Sequence, residues 1–490
     1  MTDRRMTGDV VGDVRALCER AMQLADGDTA VRLEQLRARL DGPLRIAIAG
    51  RIKAGKSTLL NALVGERLAA TDAGECTRVI TVFHHAERYE LRAHTVDGGV
   101  RELTFRRMDG RLHYDLGGLE PEQVARLEVG WPAPVLRRVT LIDTPGLGSI
   151  DDENSRRTTD FLHHDPEQAS GADAVVYLMR HLHRSDAEFL GSFMDRSVAG
   201  ASPVNAVAVL SRADEIGAAR PDAMASAARI AARYGADPSV RTLVAQVLPL
   251  AGLIAETGLT LAEHEFAALR RVAELDPDER RRVVRSVDDW CEPSATALTV
   301  EVRRELLDRF GLFGLRIAVA ALAEGVVGSS TDLSRHLVAC SGLGELRRVI
   351  DEVFLPRAGL LQARTALVAL RGLVAEVAAA DPAGAGVLRR DLDELEAGTL
   401  EFARLQAAHA VMTGSARVPA AERDEIERLL TAGDPVGAIG LDRLDADQRQ
   451  AYVLAGIERW RTRAADPLAD PATTSVADTL ARLHERWWTA

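Results

Sequence analysis

The chain has 490 residues, 47% hydrophobic and 27% charged, a length that exceeds one compact core and suggests roughly two to four structural units. Its 73 acidic against 61 basic side chains give a formal net charge of −12, so the chain as a whole is not drawn to nucleic acid or anionic lipid. The four cysteines, Cys18, Cys76, Cys291 and Cys340, have no paired spacing, which argues against a disulfide framework or a zinc site and favours a reducing compartment.

The first residues, 1–14, carry charges but no apolar h-region, so no secretion signal is expected. Residues 1–42 read as helical: Val31, Leu33, Leu36 and Leu40 form an apolar stripe that Asp41-Gly42-Pro43 stops. Residues 44–49 are then a short buried strand, followed by a glycine loop and a helix over 57–65. Further strands are expected at 79–84, 90–95, 137–142, 174–179, 206–210 and 244–248, with helical patterns at 185–195 and 221–234. Such alternation predicts a mainly parallel sheet with helices on both faces.

Beyond about residue 260 the strand signal vanishes, and segments rich in Ala, Leu, Arg and Glu take over. Breaks are expected at Gly328-Ser329-Ser330, 381–386, 414–419 and 466–471. The arginines at 280–282 sit among acids and read as a solvated helix face. Leu360, Ala363, Leu367, Leu370, Val374 and Val377 fall at a and d of a heptad, with Arg357, Arg364 and Arg371 at e. The spacing reads as a packed helical seam edged by cations, with an amphipathic helix lying on a membrane as the alternative. The longest charge-free stretches, near 198–211 and 242–255, are short and hold prolines, and neither is expected to span a bilayer, which needs ~20 apolar residues. The expected fold is an α/β P-loop head over 43–258 joined to an all-α neck and trunk, from an N-terminal segment at 1–42 and from 259–490.

Gly50-Arg51-Ile52-Lys53-Ala54-Gly55-Lys56-Ser57 matches G-x-x-x-x-G-K-[ST], with a strand before it and a helix after it. Glycines let backbone N–H groups close around phosphates, and the helix N-terminus adds its positive dipole end. Lys56 is expected on the β- and γ-phosphates and Ser57 on Mg²⁺, with Gly50, Ala54, Gly55 and Thr58 as further nucleotide contacts. Residues 139–146 form a hydrophobic strand ending in Asp143-Thr144-Pro145-Gly146. Asp143 would hold Mg²⁺ through a water, and the Gly146 N–H would face the γ-phosphate, so that the next loop senses hydrolysis.

Residues 206–210 run into Ser211-Arg212-Ala213-Asp214, where many GTPases carry N-K-x-D or T-K-x-D. The Asp214 carboxylate can accept from guanine N1 and N2, which adenine cannot supply, and Arg212 would lie along the base. Ser211 in place of asparagine is a departure. Gly252, in 248–252, sits where the weak fifth guanine loop would fall. In Glu75-Cys76-Thr77-Arg78, Thr77 is the candidate switch threonine that completes the Mg²⁺ shell and orients the attacking water; Thr71 and Thr81 are its rivals. His84-His85, His163-His164, His181 and His183 lack a third ligand and read as surface or loop residues.

With these residues placed, the chain resembles the bacterial dynamin-like GTPases, and within them the isoniazid-inducible proteins of actinobacteria in their shorter, C-type form. The resemblance runs through the loop at 50–57 with Asn61-Ala62-Leu63, then Glu75-Cys76-Thr77-Arg78, the DTPG element and residues 211–217. It continues at 306–316 and 341–370, around Arg364-Thr365-Ala366-Leu367, and so covers most of the chain. It implies GTP as substrate with GDP as product, Mg²⁺ as cofactor, a GTPase head, a helical neck from both chain ends and a trunk whose tip meets lipid. It further implies a peripheral place at the inner face of the plasma membrane, and a homodimer through the heads or assembly with another dynamin-like protein. Ser185 and Asp186 lie in a segment like the one that reaches across a head-to-head dimer, and are carried over as dimer contacts. No nucleic-acid partner is implied. Val326-Val327 and Leu312-Phe313 offer themselves as tip residues, although each reads better as core.

Two departures bear on turnover. Dynamins place a glutamine where this chain has Ile52, and Ras-like enzymes place one where it has Leu147. Neither usual side chain is present to position the water, so a lone monomer should turn over slowly. Only two lysines occur in the chain, Lys53 and Lys56, both within this one loop. Lys56 is required because a compact ammonium fits a phosphate cradle and a planar guanidinium does not. Lys53 has no such requirement and is the candidate for a cis cation at the transferred phosphate; alternatively it steadies the loop or faces solvent. A soluble GTP-dependent switch, or a scaffold subunit beside a related dynamin-like protein, is the competing function.

Overall fold

The computed structural model describes residues 9–69, 79–108, 111–114, 116–145, 171–180, 205–241, 243–292, 296, 298–432 and 435–489. The chain opens with two helices, α1 (Val10–Met22) and α2 (Gly27–Arg39). The Asp9 side chain accepts from the Gly12 N–H and so starts α1, whose buried side is Val10, Val14, Leu17, Cys18 and Ala21.

The sheet strands are β1 (Leu44–Gly50), β2 (Thr81–His85), β3 (Glu90–Thr95), β4 (Val100–Glu102), β7 (Val124–Trp131), β8 (Val139–Asp143), β9 (Ala174–Met179), β10 (Ala206–Ser211) and β11 (Val247–Leu250); β5 (Phe105–Met108) and β6 (Arg111–Tyr114) form a separate hairpin. Their order is β11-β10-β9-β1-β8-β2-β7-β3-β4. From β11 to β8 all neighbours are parallel; β2 then runs antiparallel to β8 but parallel to β7, and β3 is antiparallel to both β7 and β4. Every residue of β9 and β10 is buried, as their unbroken apolar runs require in a sheet covered on both faces.

Among the strands, β4 to β7 were not anticipated, and β8 and β11 are displaced from the expected ranges. β7 was not anticipated, because Arg126 and Glu128 interrupt its apolar residues; folded, Glu128 sits 3.0 Å from His94 and 3.1 Å from Arg126. The expected strand at 244–248 is displaced to Val247–Leu250, which includes Pro249. β11 is an edge strand, where the missing N–H of proline is tolerated. The expected 137–142 strand begins only at Val139, since Pro134–Arg137 is a 3-10 turn.

One sheet face is covered by α3 (Lys56–Val64) and the other by α4 (Ala223–Ala236); α5 (Gly252–Leu259) lies beside α3. The remaining elements include α6 (Glu263–Ala273), α7 (Pro277–Val283), α8 (Val300–Ala323), α9 (Ser330–Cys340) and α10 (Leu343–Val349). After a π segment (Ile350–Phe354) and a 3-10 turn (Leu355–Arg357) come α11 (Ala358–Ala380), α12 (Pro382–Gly398), α13 (Leu400–Thr413), α14 (Arg423–Thr431), α15 (Ala446–Ala464) and α16 (Pro471–Thr489).

Two helical cores result. Leu269, Trp290, Leu306, Phe310, Leu315, Val319, Leu333 and Leu337 make one, from α6, α8 and α9 with their connections. In the other, residues of α1 and α2 bury with those of α11 to α16. Ala363, Leu367, Leu370, Val374 and Val377 are all buried there, and Arg371 reaches Asp393 at 3.0 Å and Glu396 at 2.7 Å. The heptad is thus a packed seam, and the membrane-lying alternative does not hold for it. Phe313 and Val327 are buried as well, whereas Val326, in the α8–α9 turn, is 63% exposed.

Candidate nucleotide site

β1 delivers the loop at the carboxyl edge of the parallel strands, where open α/β sheets bind ligands. Gly50 ends the strand with φ +147°; a β-carbon there would lie 2.4 Å from the Leu178 carbonyl oxygen on β9. The loop turns with the Ala54 N–H donating to Arg51 O at 3.1 Å, passes through Lys53 at φ 61°, and enters α3 from Gly55 at φ 92°. Lys56, only 8% exposed, folds back so that Nζ donates to Gly50 O at 3.0 Å and Arg51 O at 3.2 Å. Burial lowers its pKa, and the Asp143 charge opposes that fall.

Ser57 Oγ donates to Asp143 Oδ2 at 2.9 Å, joining α3 to the end of β8. The β1–β8 register sets Asp143 opposite Ile48, and Thr144 Oγ1 ties the next residue to the Ile48 carbonyl at 3.0 Å. Asp143 as a whole is partly buried, yet its Oδ1 is sealed from water without a hydrogen-bond partner. That burial pushes its carboxyl up to about 6, against the opposing pull of Lys56 and the Ser57 hydroxyl. A hydroxyl beside a carboxylate with one unsatisfied oxygen is a donor set that suits a hard divalent cation.

Two strands away, Ser211 closes β10 and donates through Oγ to Met179 O at 3.3 Å. Arg212, left-handed at φ 53°, turns onto Glu215 (2.7 Å), which also receives Arg180 at 2.5 Å. Asp214 is buried, and burial raises its pKa. Gly252 starts α5 close to α3: a β-carbon on it would stand 3.7 Å from Thr58 Cγ2. Gly50, Ala54, Gly55, Lys56, Ser57, Thr58, Asp143 and Gly252 are therefore gathered around one loop, with Ser211, Arg212 and Asp214 on the same sheet edge. Lys53 is exposed.

The family model of the Dynamin family matches residues 46–198. The isoniazid-induced protein IniC of Mycobacterium tuberculosis is 38% identical over 465 residues, which is 94% of this chain and 92% of IniC. The chain belongs to the dynamin family. As a dynamin-family protein it is a GTPase, with the α/β head and helical remainder that its sequence implied. Shorter matches are the isoniazid-induced protein IniA of the same organism, 36% identical over 31% of this chain and 23% of IniA, and the dynamin-like protein 2 of Campylobacter jejuni, 33% identical over 26% and 20%. A solved structure of an oligomerised bacterial dynamin pair aligns with 100% of this chain and 75% of its own at 13% identity and a TM-score of 0.34, too loose a superposition to compare the placement of helices.

Several dynamin-type positions, Thr77, Gly146, Ser185 and Asp186, lie outside the described residues, as do Thr71, Leu147, His163, His164, His181 and His183. Thr81 is buried at the start of β2, opposite Asp143, with its hydroxyl turned to the Val79 carbonyl at 3.4 Å. His85 accepts from Arg137 Nε at 3.0 Å, and no metal-binding cluster of His, Cys, Asp and Glu forms among the described residues. The structure adds Asn61, to which the sequence reading gave no role. Its Oδ1 accepts from the N–H groups of Leu68 (2.8 Å) and Ala69 (2.7 Å), fixing the chain that leaves α3. Glu256 of α5 supports the same corner through Arg67 Nε at 2.9 Å. An asparagine inside the apolar run Leu59-Leu60-Asn61-Ala62-Leu63 was the available signal, since a buried amide must find partners.

Proposed function

We propose that the chain binds GTP with Mg²⁺ on the 50–57 loop, hydrolyses it slowly as a monomer and couples the cycle to association with the inner face of the plasma membrane. The observation that carries the reading is Ser57 held 2.9 Å from Asp143, whose other oxygen is buried and unpaired. Mg²⁺, when bound, would neutralise charge between the β- and γ-phosphates. Lys56 would exchange its two loop carbonyls for phosphate oxygens, and its burial makes that exchange favourable because a buried ammonium gains most from a full counter-charge. Thr77 is assigned to the cation shell and the attacking water, and Gly146 to the γ-phosphate. Gly50, Ala54, Gly55 and Thr58 line the phosphates, while Ser211, Arg212, Asp214 and Gly252 surround the base.

Lys53, exposed and left-handed, is assigned as the cis cation at the transferred phosphate, in a chain that lacks the glutamines usually positioned to orient the water. Lys53→Arg should bind GTP yet lose most turnover, and wild-type turnover in that variant would overturn the assignment. Dimerisation of heads through Ser185 and Asp186, or assembly with a related dynamin-like subunit, would bring a second surface to this exposed loop. Support for lipid contact comes from apolar side chains held out at helix turns, Val326 at 63% and Leu468 at 92% exposure. Co-sedimentation with anionic liposomes, with and without a GTP transition-state mimic, tests that part. Absence of pelleting in every nucleotide state would favour a soluble switch or scaffold.

A further inference from the structure

Past Asp214 the backbone does something unusual. Gly217, Ala218 and Ala219 follow one another in the left-handed region, at φ 66°, 60° and 58°. Glycine adopts this freely, but in the two alanines the β-carbon crowds the following carbonyl, so something must hold them there. The holder is Arg316, from α8, 97 residues further along the chain. Its Nη1 donates to Ala218 O at 3.0 Å and Ala219 O at 2.6 Å. Nε donates to Val284 O at 2.8 Å and Nη2 to Arg285 O, both just past the end of α7. One guanidinium thus joins four backbone carbonyls from two segments, and among the described residues it meets no carboxylate.

The same helix also backs Asp214 directly. α8 is broken at Gly311 (φ 61°, ψ 170°), and a β-carbon there would sit 3.4 Å from Leu253 Cδ2 and 3.9 Å from Asp214 Oδ2. Phe313 is buried with Ala223, Ala251 and Ile254, and Ala219 and Ile317 pack at the edge of this cluster. α8 therefore lies across both loops that flank the base, 211–219 and 250–254.

We propose that Arg316 is a positioning residue for guanine discrimination, holding residues 217–219 left-handed so that the short segment from Asp214 to Gly217 is fixed at both ends. The inference rests on the reading of Asp214 as the guanine acceptor. A carboxylate that must take N1–H and the 2-amino group together tolerates little tilt, because hydrogen bonds weaken steeply off axis. Inosine lacks the 2-amino group and makes only one of the two bonds. A loosened Asp214 therefore loses more with GTP than with ITP.

The test uses the full-length protein with Mg²⁺, displacing a fluorescent GDP with GTP, ITP or ATP, for wild type, Arg316→Gln, Arg316→Lys and Asp214→Ala. Arg316→Gln should weaken GTP by about tenfold and ITP by less than about threefold, collapsing the GTP/ITP preference. Arg316→Lys should fall between, since one ammonium cannot reach all four carbonyls. A GTP/ITP ratio unchanged in Arg316→Gln, even with both affinities lowered, would overturn the proposal and leave Arg316 a purely structural clamp. Should the Gln variant not fold, an unchanged ratio in Arg316→Lys decides against it in the same way. Asp214→Ala should erase the preference on its own; if it keeps GTP over ITP and ATP, the reading of Asp214 fails first and the role of Arg316 falls with it.

Discussion

Replacing Lys53 by glycine separates stability from turnover. Lys53 holds φ 61°, a region in which a β-carbon costs roughly 1–2 kcal/mol. Its side chain is exposed, and among the described residues no hydrogen bond or ion pair is lost with it. Lys53→Gly removes the strain but loosens the unfolded chain, a penalty of roughly 0.5–1 kcal/mol. The two partly cancel, so the variant should be as stable as wild type or more stable by up to about 1.5 kcal/mol. Turnover behaves differently. A cation at the transferred phosphate is worth about 10³–10⁵ in rate, or about 4–7 kcal/mol of barrier. Urea unfolding of the nucleotide-free protein should show no loss of midpoint. Single-turnover phosphate release at saturating Mg²⁺ and GTP, over a range of protein concentration, should fall by at least about a thousandfold. A glycine variant with wild-type release refutes the catalytic role, and one that loses stability and turnover together shows that Lys53 only shapes the loop.

Gly50→Ala drives a β-carbon to within 2.4 Å of the Leu178 carbonyl, and both residues are fixed by the β1–β9 register. A loss of at least about 3 kcal/mol is expected in chemical denaturation, and a variant as stable as wild type contradicts the steric argument. Asn61→Ala strips two buried N–H groups, those of Leu68 and Ala69, of their acceptor. It should cost about 2–4 kcal/mol and abolish hydrogen-exchange protection at those two amides; retained protection would mean that another group satisfies them. For Asp143 the folded pKa is raised from 3.8 to about 6, so its favourable contribution is complete below about pH 4 and is lost as pH rises through about 6. Above that the ionised carboxylate should lower nucleotide-free stability by up to about 3 kcal/mol, while supplying the charge that Mg²⁺ needs. Thermal stabilisation by Mg²⁺ and GDP should therefore weaken as pH falls below about 6, and a flat response from pH 5 to 8 would be inconsistent with this carboxylate at the cation.

The parts of the fold that could be read from sequence are those whose causes are local. The loop at 50–57 and its helix occupy consecutive residues, and β9 and β10 announce themselves as unbroken apolar runs. β7 stayed hidden because its charges, Arg126 and Glu128, find their partner in His94 on the neighbouring β3. β11 was misplaced because Pro249 reads as a break unless the strand is known to be an edge. The segment 306–316 was recognised as shared with relatives, but no pattern within it tells that Arg316 meets carbonyls of residues 218 and 219. Two consecutive alanines in the left-handed region have no sequence signature at all, since the cause lies in another helix.

The long apolar stretch Leu343–Ala379 shows why composition alone misleads about a membrane. It is long and apolar enough to cross one, yet 56% of its most apolar window is buried inside the protein. Its first part serves the sheet: Leu343, Leu346, Val349, Ile350 and Phe354 bury in the core that also holds β1 and α3. Its second part serves the bundle, where Ala363 to Val377 bury against α1, α2 and α12. Between them the π segment and the Pro356 turn rotate the apolar side from one core to the other. Lipid could take this helix only by opening both cores together. The helix is also anchored at the carboxyl edge of the parallel strands. Gly342 has φ +83°, and a β-carbon on it would lie 2.3 Å from Pro249 O, while the Ala251 N–H donates to Ser341 O at 2.9 Å. These two contacts tie the backbone at 249–251 to the start of the helix. The helices α1, α2 and α12 pack on the other end of that same run, so one continuous stretch of chain serves both the sheet core and the bundle core.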